Sequence, residues 1–237
     1  IKLDLTRRDF TINTLAISLN PNNFGRLIDF FGGMRDLKDK TIRTIHNLSF
    51  VEDPTRIFRA IKFANRFDFD IGKLTSNLIK NAVLINCFKN LSGLRVLAEL
   101  KQIFAESDPI PAVKIMEDYG LEKILHKELH FIPQTYQLLE SVNKIMVWHD
   151  LLYTNEDYLR WTIYFMAIFN RCSHQVSKEI CKRLNIPPKE RAILMEKRYE
   201  AETQLALIEN AQSSYKMEEL YWKLAGLKTE ALLYIMA

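Results

Sequence analysis

Features typical of secreted, metal-bound or membrane proteins are scarce in this sequence of 237 residues. The three cysteines, Cys87, Cys172 and Cys181, are odd in number and show neither a CxxC spacing nor close metal-ligand pairing. A disulfide framework and a zinc site are therefore not expected. No apolar run approaches the roughly 20 residues of a membrane span, and the N-terminus lacks a signal-peptide pattern. The sequence thus predicts a cytoplasmic protein with no membrane contact.

The composition is that of a globular protein with a mild basic excess. Hydrophobic residues make up 48% of the chain, which is enough for a sizeable core. The 33 basic and 29 acidic residues give a net charge of +4, which permits nucleic-acid binding without demonstrating it. The chain begins inside a charged segment and ends on the apolar run 232–237, so we expect an excerpt from a longer protein.

Strand signals are confined to the first fifty residues, and helical periodicity dominates the rest. Residues 25–31 and 41–45 read as two strands joined by a turn at Gly32 and Gly33. From about Pro54 onward, apolar residues recur at intervals of three and four. The helical segments expected from this pattern are 91–105, 112–125, 133–146, 158–169, 176–184, 189–210 and 216–225.

Two charged segments carry most of the functional information. Residues 7–16 read RRDFTINTLA, and residues 52–63 read EDPTRIFRAIKF. Each places carboxylates and arginines at the expected start of a helix. Two such helix starts in one chain predict a shared anionic ligand.

In the second segment, Asp53 is expected at the N-cap and Pro54 at the first helical position. On a wheel of about 100° per residue, the helix then has one apolar stripe and one cationic edge. The stripe contains Ile57, Ala60, Ile61 and Ala64, and the edge contains Arg56, Arg59 and Lys62.

A structural and a functional interpretation of this helix start are both open. Asp53 could be an ordinary cap, and the arginines could be a solvated face that balances Glu52 and Asp53. Alternatively, a carboxylate beside a guanidinium offers an acceptor next to donors, which matches the pairing edges of adenine and cytosine. Guanine and uracil present the opposite arrangement, so the same residues could reject them.

At the level of these motifs the chain resembles a known family. Residues 7–16 and 52–63 are similar to the two signature segments of the class II tRNA nucleotidyltransferase and poly(A) polymerase family, which contains the CCA-adding, CC-adding, A-adding and polyadenylating enzymes of bacteria. Residues 27–37 (LIDFFGGMRDL) and 93–100 (GLRVLAEL) also look like that family. The resemblance covers roughly the first 125 residues.

The resemblance implies a mainly α fold, consisting of the helical neck and body of a class II nucleotidyltransferase preceded by a small α/β remnant of the head domain. Residues 1–50 would be the C-terminal remnant of the head. Residues 51–107 would form the neck with the base-recognition motif, and residues 108–237 a helical body truncated at its C-terminus.

It also implies roles for individual residues. Arg8 would contact the incoming nucleotide, Asp53 and Arg56 would read its base, and Arg59 would support the phosphates or that pair. Lys62 stands where the family often has arginine; it keeps the charge but loses the planar fork that grips a triphosphate. The supporting residues would be Asp9, Glu52, Arg95 and Glu99, although Arg95 and Glu99 could simply form a stabilising pair within one helix.

The family's glycine segment and its metal-binding aspartates would lie upstream of Arg7. We therefore expect no catalytic residue and no metal ligand in this chain, which would be inactive alone. Mg²⁺ would be bound by the upstream carboxylates, with ATP and CTP as substrates. Asp68 and Asp70 resemble the missing pair in spacing but are better explained as a polar helix end or turn.

The function implied is addition of C, A or both to tRNA 3′ ends; the alternatives are a poly(A) polymerase and a helical RNA-binding or docking scaffold within a multidomain parent. The partners would be tRNA or another RNA 3′ end, the upstream head and further N-terminal domains.

Two weaker signals stay open. His126 and His130 read as a capped helix end. A basic stretch could grip RNA or be an exposed helix surface, and it contains Lys178, Lys182, Arg183, Lys189, Arg191, Lys197 and Arg198.

Overall fold

The computed structural model describes residues 1–154, 156–210 and 215–237. The chain divides into two compact units, Ile1–Leu121 and Glu122–Ala237. Helices dominate both units, and each strand has only two residues, which confirms the expected mainly α fold. In the described ranges, no helix combines the length and apolar character needed to cross a membrane.

The first unit contains all the strands and seven α-helices of the described chain. The helices are α1 (Lys2–Leu5), α2 (Gly33–Lys38), α3 (Ser49–Glu52), α4 (Thr55–Phe67), α5 (Lys73–Leu84), α6 (Gly93–Ile103) and α7 (Ile110–Asp118). The strands are β1 (Ala16–Ile17), β2 (Leu27–Ile28), β3 (Thr41–Ile42) and β4 (Asp70–Ile71).

The strand pairing differs from the hairpin expected between residues 25–31 and 41–45. Strand β2 pairs antiparallel with β1, and β3 pairs parallel with β4. Helix α2 separates β2 from β3, because the Asp29 carboxylate accepts hydrogen bonds from the backbone N–H groups of Gly33 and Met34 and so caps a helix start. Strand β4 also shows that pairing extends beyond residue 50, where no strand was expected.

The segment 7–16 was expected to enter an α-helix, and this expectation is wrong. A short 3₁₀ turn, Thr11–Thr14, follows Phe10 and leads directly into β1. Phe10 forms a β-bridge with Thr44, and the Thr11 N–H donates to the Arg43 carbonyl at 3.0 Å. These tertiary hydrogen bonds, together with β-branched residues at Thr11, Ile12 and Thr14, outweigh a local helix.

Helix α4 has the expected amphipathic pattern. Ile57, Ala60 and Ile61 are 0% exposed and Ala64 is 4% exposed, so the apolar stripe is buried as expected. The N-cap is Pro54 and regular helix begins at Thr55, so the expected placement of Asp53 at the N-cap is wrong by one residue. The Asp53 carboxylate still accepts from the Thr55 backbone N–H at 3.2 Å and so caps the helix start from the preceding residue. The helix ends at Asp68 in a left-handed conformation, which supports the helix-end interpretation of that residue.

Gly33 is required by a close approach of α2 to the 3₁₀ turn. A Cβ atom at this position would lie 2.5 Å from the Thr11 carbonyl oxygen. We expect Gly33→Ala to lower the free energy of unfolding by about 1–3 kcal/mol, because either α2 or the turn must move. Urea denaturation would measure this loss.

Gly226→Ala is the matched control, because no atom lies within 4 Å of its added Cβ. Equal effects of the two substitutions would show that the contact between α2 and the turn is soft.

The described residues of the second unit form helices and the loops that connect them. Its α-helices are α8 (Glu122–Leu125), α9 (Pro133–Asp150), α10 (Arg160–Phe169), α11 (His174–Arg183), α12 (Pro188–Ala192), α13 (Arg198–Glu209), α14 (Met217–Leu224) and α15 (Thr229–Met236). Nine consecutive residues of α10, from Trp161 to Phe169, are buried, so this helix is central to the core.

The expected helical segments after residue 130 are confirmed with one refinement. The segment 189–210 is interrupted by a π-helical stretch, Ile193–Lys197, between α12 and α13. The expected segment 112–125 begins in the first unit, where α7 ends at Asp118 and Gly120 adopts a φ of +69°. The three thiols have no disulfide partner, and burial raises the pKa of Cys181 to about 11, which makes it an unreactive core residue.

Candidate functional site

The two charged segments meet at one cleft of about 540 Å³ in the first unit. The start of α4, the segment before the 3₁₀ turn and the first turns of α6 supply its walls. The lining residues are Arg7, Arg8, Asp9, Asn13, Asp53, Thr55, Arg56, Arg59, Phe63, Arg95 and Glu99. Residues from three separate parts of the sequence are thereby brought together.

The charge of the cleft is positive. Its lining contains five arginines and three carboxylates, a balance of 5 − 3 = +2. Four of the five arginines come from residues 7–8 and from the cationic edge of α4, and the fifth is Arg95. Such a balance suits a polyanionic ligand, with the remaining carboxylates available as hydrogen-bond acceptors.

Asp53 is held from two sides. Its Oδ1 atom accepts from the Thr55 hydroxyl at 2.7 Å, and Arg95 Nη2 donates to Oδ1 at 2.9 Å and to Oδ2 at 2.8 Å. Burial alone would raise the Asp53 pKa, but the Thr55 and Arg95 hydrogen bonds outweigh it and hold the pKa below its ordinary value. The Asp53 carboxylate is therefore held as an ionised hydrogen-bond acceptor just before the start of α4.

Arg56 is one helical turn from Asp53 and is held by other groups. Its Nη1 atom donates to the Ser49 hydroxyl at 2.8 Å, and its Nη2 atom donates to the Arg7 carbonyl at 3.2 Å. The guanidinium that contacts the Asp53 carboxylate is thus that of Arg95, although both arginines line the same cleft. The Arg7 contact ties the first charged segment to the second.

Asp9 and Arg59 form the most buried ion pair of the cleft. Arg59 Nε and Nη2 both lie 2.7 Å from Asp9 Oδ2, and Arg59 Nη1 lies 3.7 Å from Glu99 Oε1. Asp9 also accepts from the Asn13 amide at 2.8 Å and is only 7% exposed. Burial would raise the Asp9 pKa, yet Asn13 and Arg59 lower it below its ordinary value. Arg59 therefore links the carboxylates of Asp9 and Glu99.

Two residues of the expected set do not line the cleft. Lys62 is 3% exposed, and its Nζ atom lies 2.5 Å from Gln102 Oε1 and 3.4 Å from Glu99 Oε2. Burial is the main reason why the pKa of Lys62 is lowered. Glu52 is exposed, with Oε2 at 3.6 Å from His46 Nε2.

Arg95 and Glu99 have partners on other segments. Arg95 reaches Asp53, whereas Glu99 contacts Arg59 and Lys62. These contacts join α6 to α4, so the pair acts between helices and not merely along one helix.

Several lining residues were missed by the sequence reasoning. Thr55 donates a hydrogen bond to the Asp53 carboxylate, and Asn13 donates one to the Asp9 carboxylate. The Arg59 guanidinium lies over the Phe63 ring, 5.6 Å from its centroid. Thr55 had a detectable signal, because it lies two residues after a capping Asp. Asn13 and Phe63 had none that distinguished them from ordinary turn and core residues.

The weaker candidates belong to the second unit. His126 directly follows α8, and its Nε2 atom is 2.9 Å from Glu179 Oε2, which fits a residue at a helix end. Across the described ranges, no group of three or more His, Cys, Asp or Glu side chains could hold a metal ion. In the basic stretch, Arg198 is only 6% exposed, whereas Lys178, Lys182, Lys189 and Arg191 are exposed.

Comparison with known proteins places these features in context. Residues 1–43 match the family model of the poly A polymerase head domain. The A-adding tRNA nucleotidyltransferase of Geobacter sulfurreducens is 44% identical over 240 aligned residues, which include 100% of this chain and 27% of that protein. The chain therefore spans about a quarter of the length of this curated relative.

Several solved structures are similar to this structure over nearly the whole chain. A tRNA-processing enzyme in an apo form has a TM-score of 0.87 and 32% identity, with 98% of this chain and 62% of that chain covered. A CCA-adding enzyme complexed with ATP has a TM-score of 0.82 and 32% identity, and its complex with CTP has 0.84 and 33%. The alignment with each of these two complexes covers 99% of this chain and 55% of the CCA-adding enzyme's chain.

Proposed function

We propose, from the premise that this chain belongs to the class II tRNA nucleotidyltransferase and poly(A) polymerase family, that it selects the nucleotide for an enzyme that extends tRNA 3′ ends. The parent protein would add A, C or both. The single observation that carries this proposal is the positively charged cleft that both Asp53 and Arg56 line at the start of α4.

In this proposal Asp53 and Arg56 read the pairing edge of the base. The Asp53 carboxylate accepts a hydrogen bond from the exocyclic amino group of adenine or cytosine, and Arg56 donates to the neighbouring ring nitrogen. Guanine and uracil present a carbonyl oxygen and an N–H group at these positions, so both contacts would be lost. The known complexes of a CCA-adding enzyme with ATP and with CTP support this base class.

The remaining residues have supporting roles in the proposal. Arg8, which is exposed on the cleft wall, binds the nucleotide's phosphates. Asp9 and Arg59 fix the wall opposite the base, and Glu99 links that wall to Lys62. Because Lys62 is buried, we assign it the positioning of Glu99 and not a direct contact with the triphosphate.

The same family membership supports a division of labour along the chain. We propose that residues 1–50 belong to the head, residues 51–107 to the neck that selects the base, and residues 108–237 to a body that holds RNA. The described residues offer no cluster suited to Mg²⁺, so the metal for transfer would be held by carboxylates outside this chain. The exposed Lys178, Lys182, Lys189 and Arg191 are candidates for phosphate contacts in the body.

An extension assay on the full-length protein tests the proposal. The substrates are tRNA transcripts that end before CCA or after CC, and an unrelated RNA, each supplied with ATP and CTP in magnesium buffer. We expect addition restricted to tRNA, and the product lengths distinguish CC, A and CCA addition.

Other products would assign another function. Long adenylate tails on every RNA would identify a poly(A) polymerase. A folded protein that binds RNA and extends none of the transcripts would favour a scaffold role.

A further inference from the structure

The two oxygens of the Asp53 carboxylate have different surroundings. Oδ1 accepts from the Thr55 N–H, the Thr55 hydroxyl and Arg95 Nη2. Oδ2 accepts from Arg95 Nη2, its one hydrogen-bond partner among the residues that the structure describes. Oδ2 thus keeps acceptor capacity for a ligand in the cleft, whereas Oδ1 is fully used.

Arg95 makes these contacts with one nitrogen atom. Its Nη2 atom reaches both Asp53 oxygens and lies 3.3 Å from the Thr55 hydroxyl. The side chain is 54% exposed and lines the cleft. Arg95 therefore holds the carboxylate from α6, while the Asp53 side chain stays 28% exposed.

We propose that Arg95 is a positioning residue that keeps Asp53 Oδ2 as a hydrogen-bond acceptor, and thereby decides that the cleft takes bases with an amino group on the pairing edge. This inference rests on the proposed function, because it assigns a further determinant of the same base selection.

The chemistry of the carboxyl group makes this role specific. An ionised carboxylate can only accept hydrogen bonds, whereas a protonated one can donate to a carbonyl oxygen. A proton on Oδ2 would present a donor to the carbonyl of guanine or uracil and withdraw the acceptor from adenine and cytosine. The proton would bind Oδ2, since three donors already point at Oδ1.

The other charges near Asp53 do not replace Arg95. Arg59 is bound to Asp9 and Glu99, and Arg56 donates to Ser49 and to the Arg7 carbonyl. The charged groups that line the cleft with Asp53 are Arg7, Arg8 and Asp9 before the 3₁₀ turn, Arg56 and Arg59 in α4, and Arg95 and Glu99 in α6, while Glu52 adjoins Asp53 in the sequence and pairs with His46. Burial raises the Asp53 pKa, and the hydrogen bonds from Thr55 and Arg95 lower it. If Arg95 were removed, only the Thr55 hydrogen bonds would oppose the effect of burial, and the Asp53 pKa would rise.

The test compares variants of the full-length protein in single-turnover extension of tRNA between pH 5.5 and pH 8. The readout is the ratio of kcat/KM for the accepted nucleotide, ATP or CTP, to that for GTP or UTP. Arg95→Met removes the contacts, and Arg95→Gln keeps a hydrogen-bond donor without the charge. Thermal unfolding checks that each variant folds, and Arg95→Gln carries the test if Arg95→Met does not.

We expect both variants to lose about tenfold in this ratio at pH 8 and more at pH 5.5, while the wild-type ratio changes little with pH. Arg66→Met is the matched control and should leave the ratio unchanged. It removes another arginine–carboxylate contact, Arg66 to Glu106, outside the cleft.

An equal loss for accepted and rejected nucleotides at every pH would overturn the inference and leave Arg95 a purely structural link between α4 and α6. In that case the wild-type protein would still extend tRNA with selection, so the proposed function would stand. A wild-type protein that extends no tRNA would overturn both.

Discussion

Asp53→Ala is expected to lower kcat/KM for ATP or CTP by about 100-fold in the full-length protein, and to bring the values for accepted and rejected nucleotides close together. The substitution removes the acceptor for the base amino group and releases Arg95 and Thr55 from their shared partner. Part of the effect is a lost helix cap, which costs about 1 kcal/mol of stability whatever the ligand. Extension kinetics with each of the four nucleotides measure the loss of selection.

Asp108→Ala separates capping from base reading. The Asp108 carboxylate accepts from the Ile110 backbone N–H at 3.1 Å at the start of α7, and it lies outside the cleft. This variant should lose similar stability and keep nucleotide selection. If both variants lose selection equally, or if the wild-type protein uses GTP as well as ATP, the base-reading role of Asp53 is wrong.

Arg59→Met is expected to lower the free energy of unfolding by about 3 kcal/mol at pH 7. It leaves the Asp9 carboxylate, which is 7% exposed, without its cation, and it also removes a contact to Glu99. An unpaired buried charge is far more costly than a missing surface pair. Urea denaturation at several pH values measures the loss.

The pH dependence identifies Asp9 as the origin of the effect. In the native wild-type protein the Asp9 pKa lies below its unfolded value, so this stabilisation is present above that unfolded value, about 4, and is lost as the pH falls through the native pKa. The difference between wild type and Arg59→Met should therefore shrink as the pH falls below about 4.

Arg66→Met provides the comparison for stability as well. Arg66 in α4 pairs with Glu106, which follows α6, but its side chain is 46% exposed. We expect a cost below about 1 kcal/mol. If Arg59→Met and Arg66→Met lower the free energy of unfolding equally, the Asp9–Arg59 pair does not stabilise the fold more than an exposed ion pair.

The sequence alone determined α4 with its buried stripe, most of the helices after residue 90 and the two charged segments that line the cleft, whereas α5 (Lys73–Leu84) was not among the expected segments. These features depend on a 3.6-residue period and on hydrogen bonds within four residues, which are local properties of the chain. The family resemblance likewise rested on contiguous residues. Local rules failed at residues 7–16, where Arg43 and Thr44 supply backbone partners from a distance and a 3₁₀ turn replaces the expected helix.

The tertiary structure decided which arginine meets which carboxylate. Arg95 reaches Asp53 across 42 residues of sequence, and Arg59 reaches Asp9 across 50. Several arginines and carboxylates could pair according to the sequence, since Coulomb attraction does not distinguish one guanidinium from another. The packing of α4 against α6 and the 3₁₀ turn selects the pairs, and the same packing buries Lys62, which the helix wheel had placed beside the exposed cations.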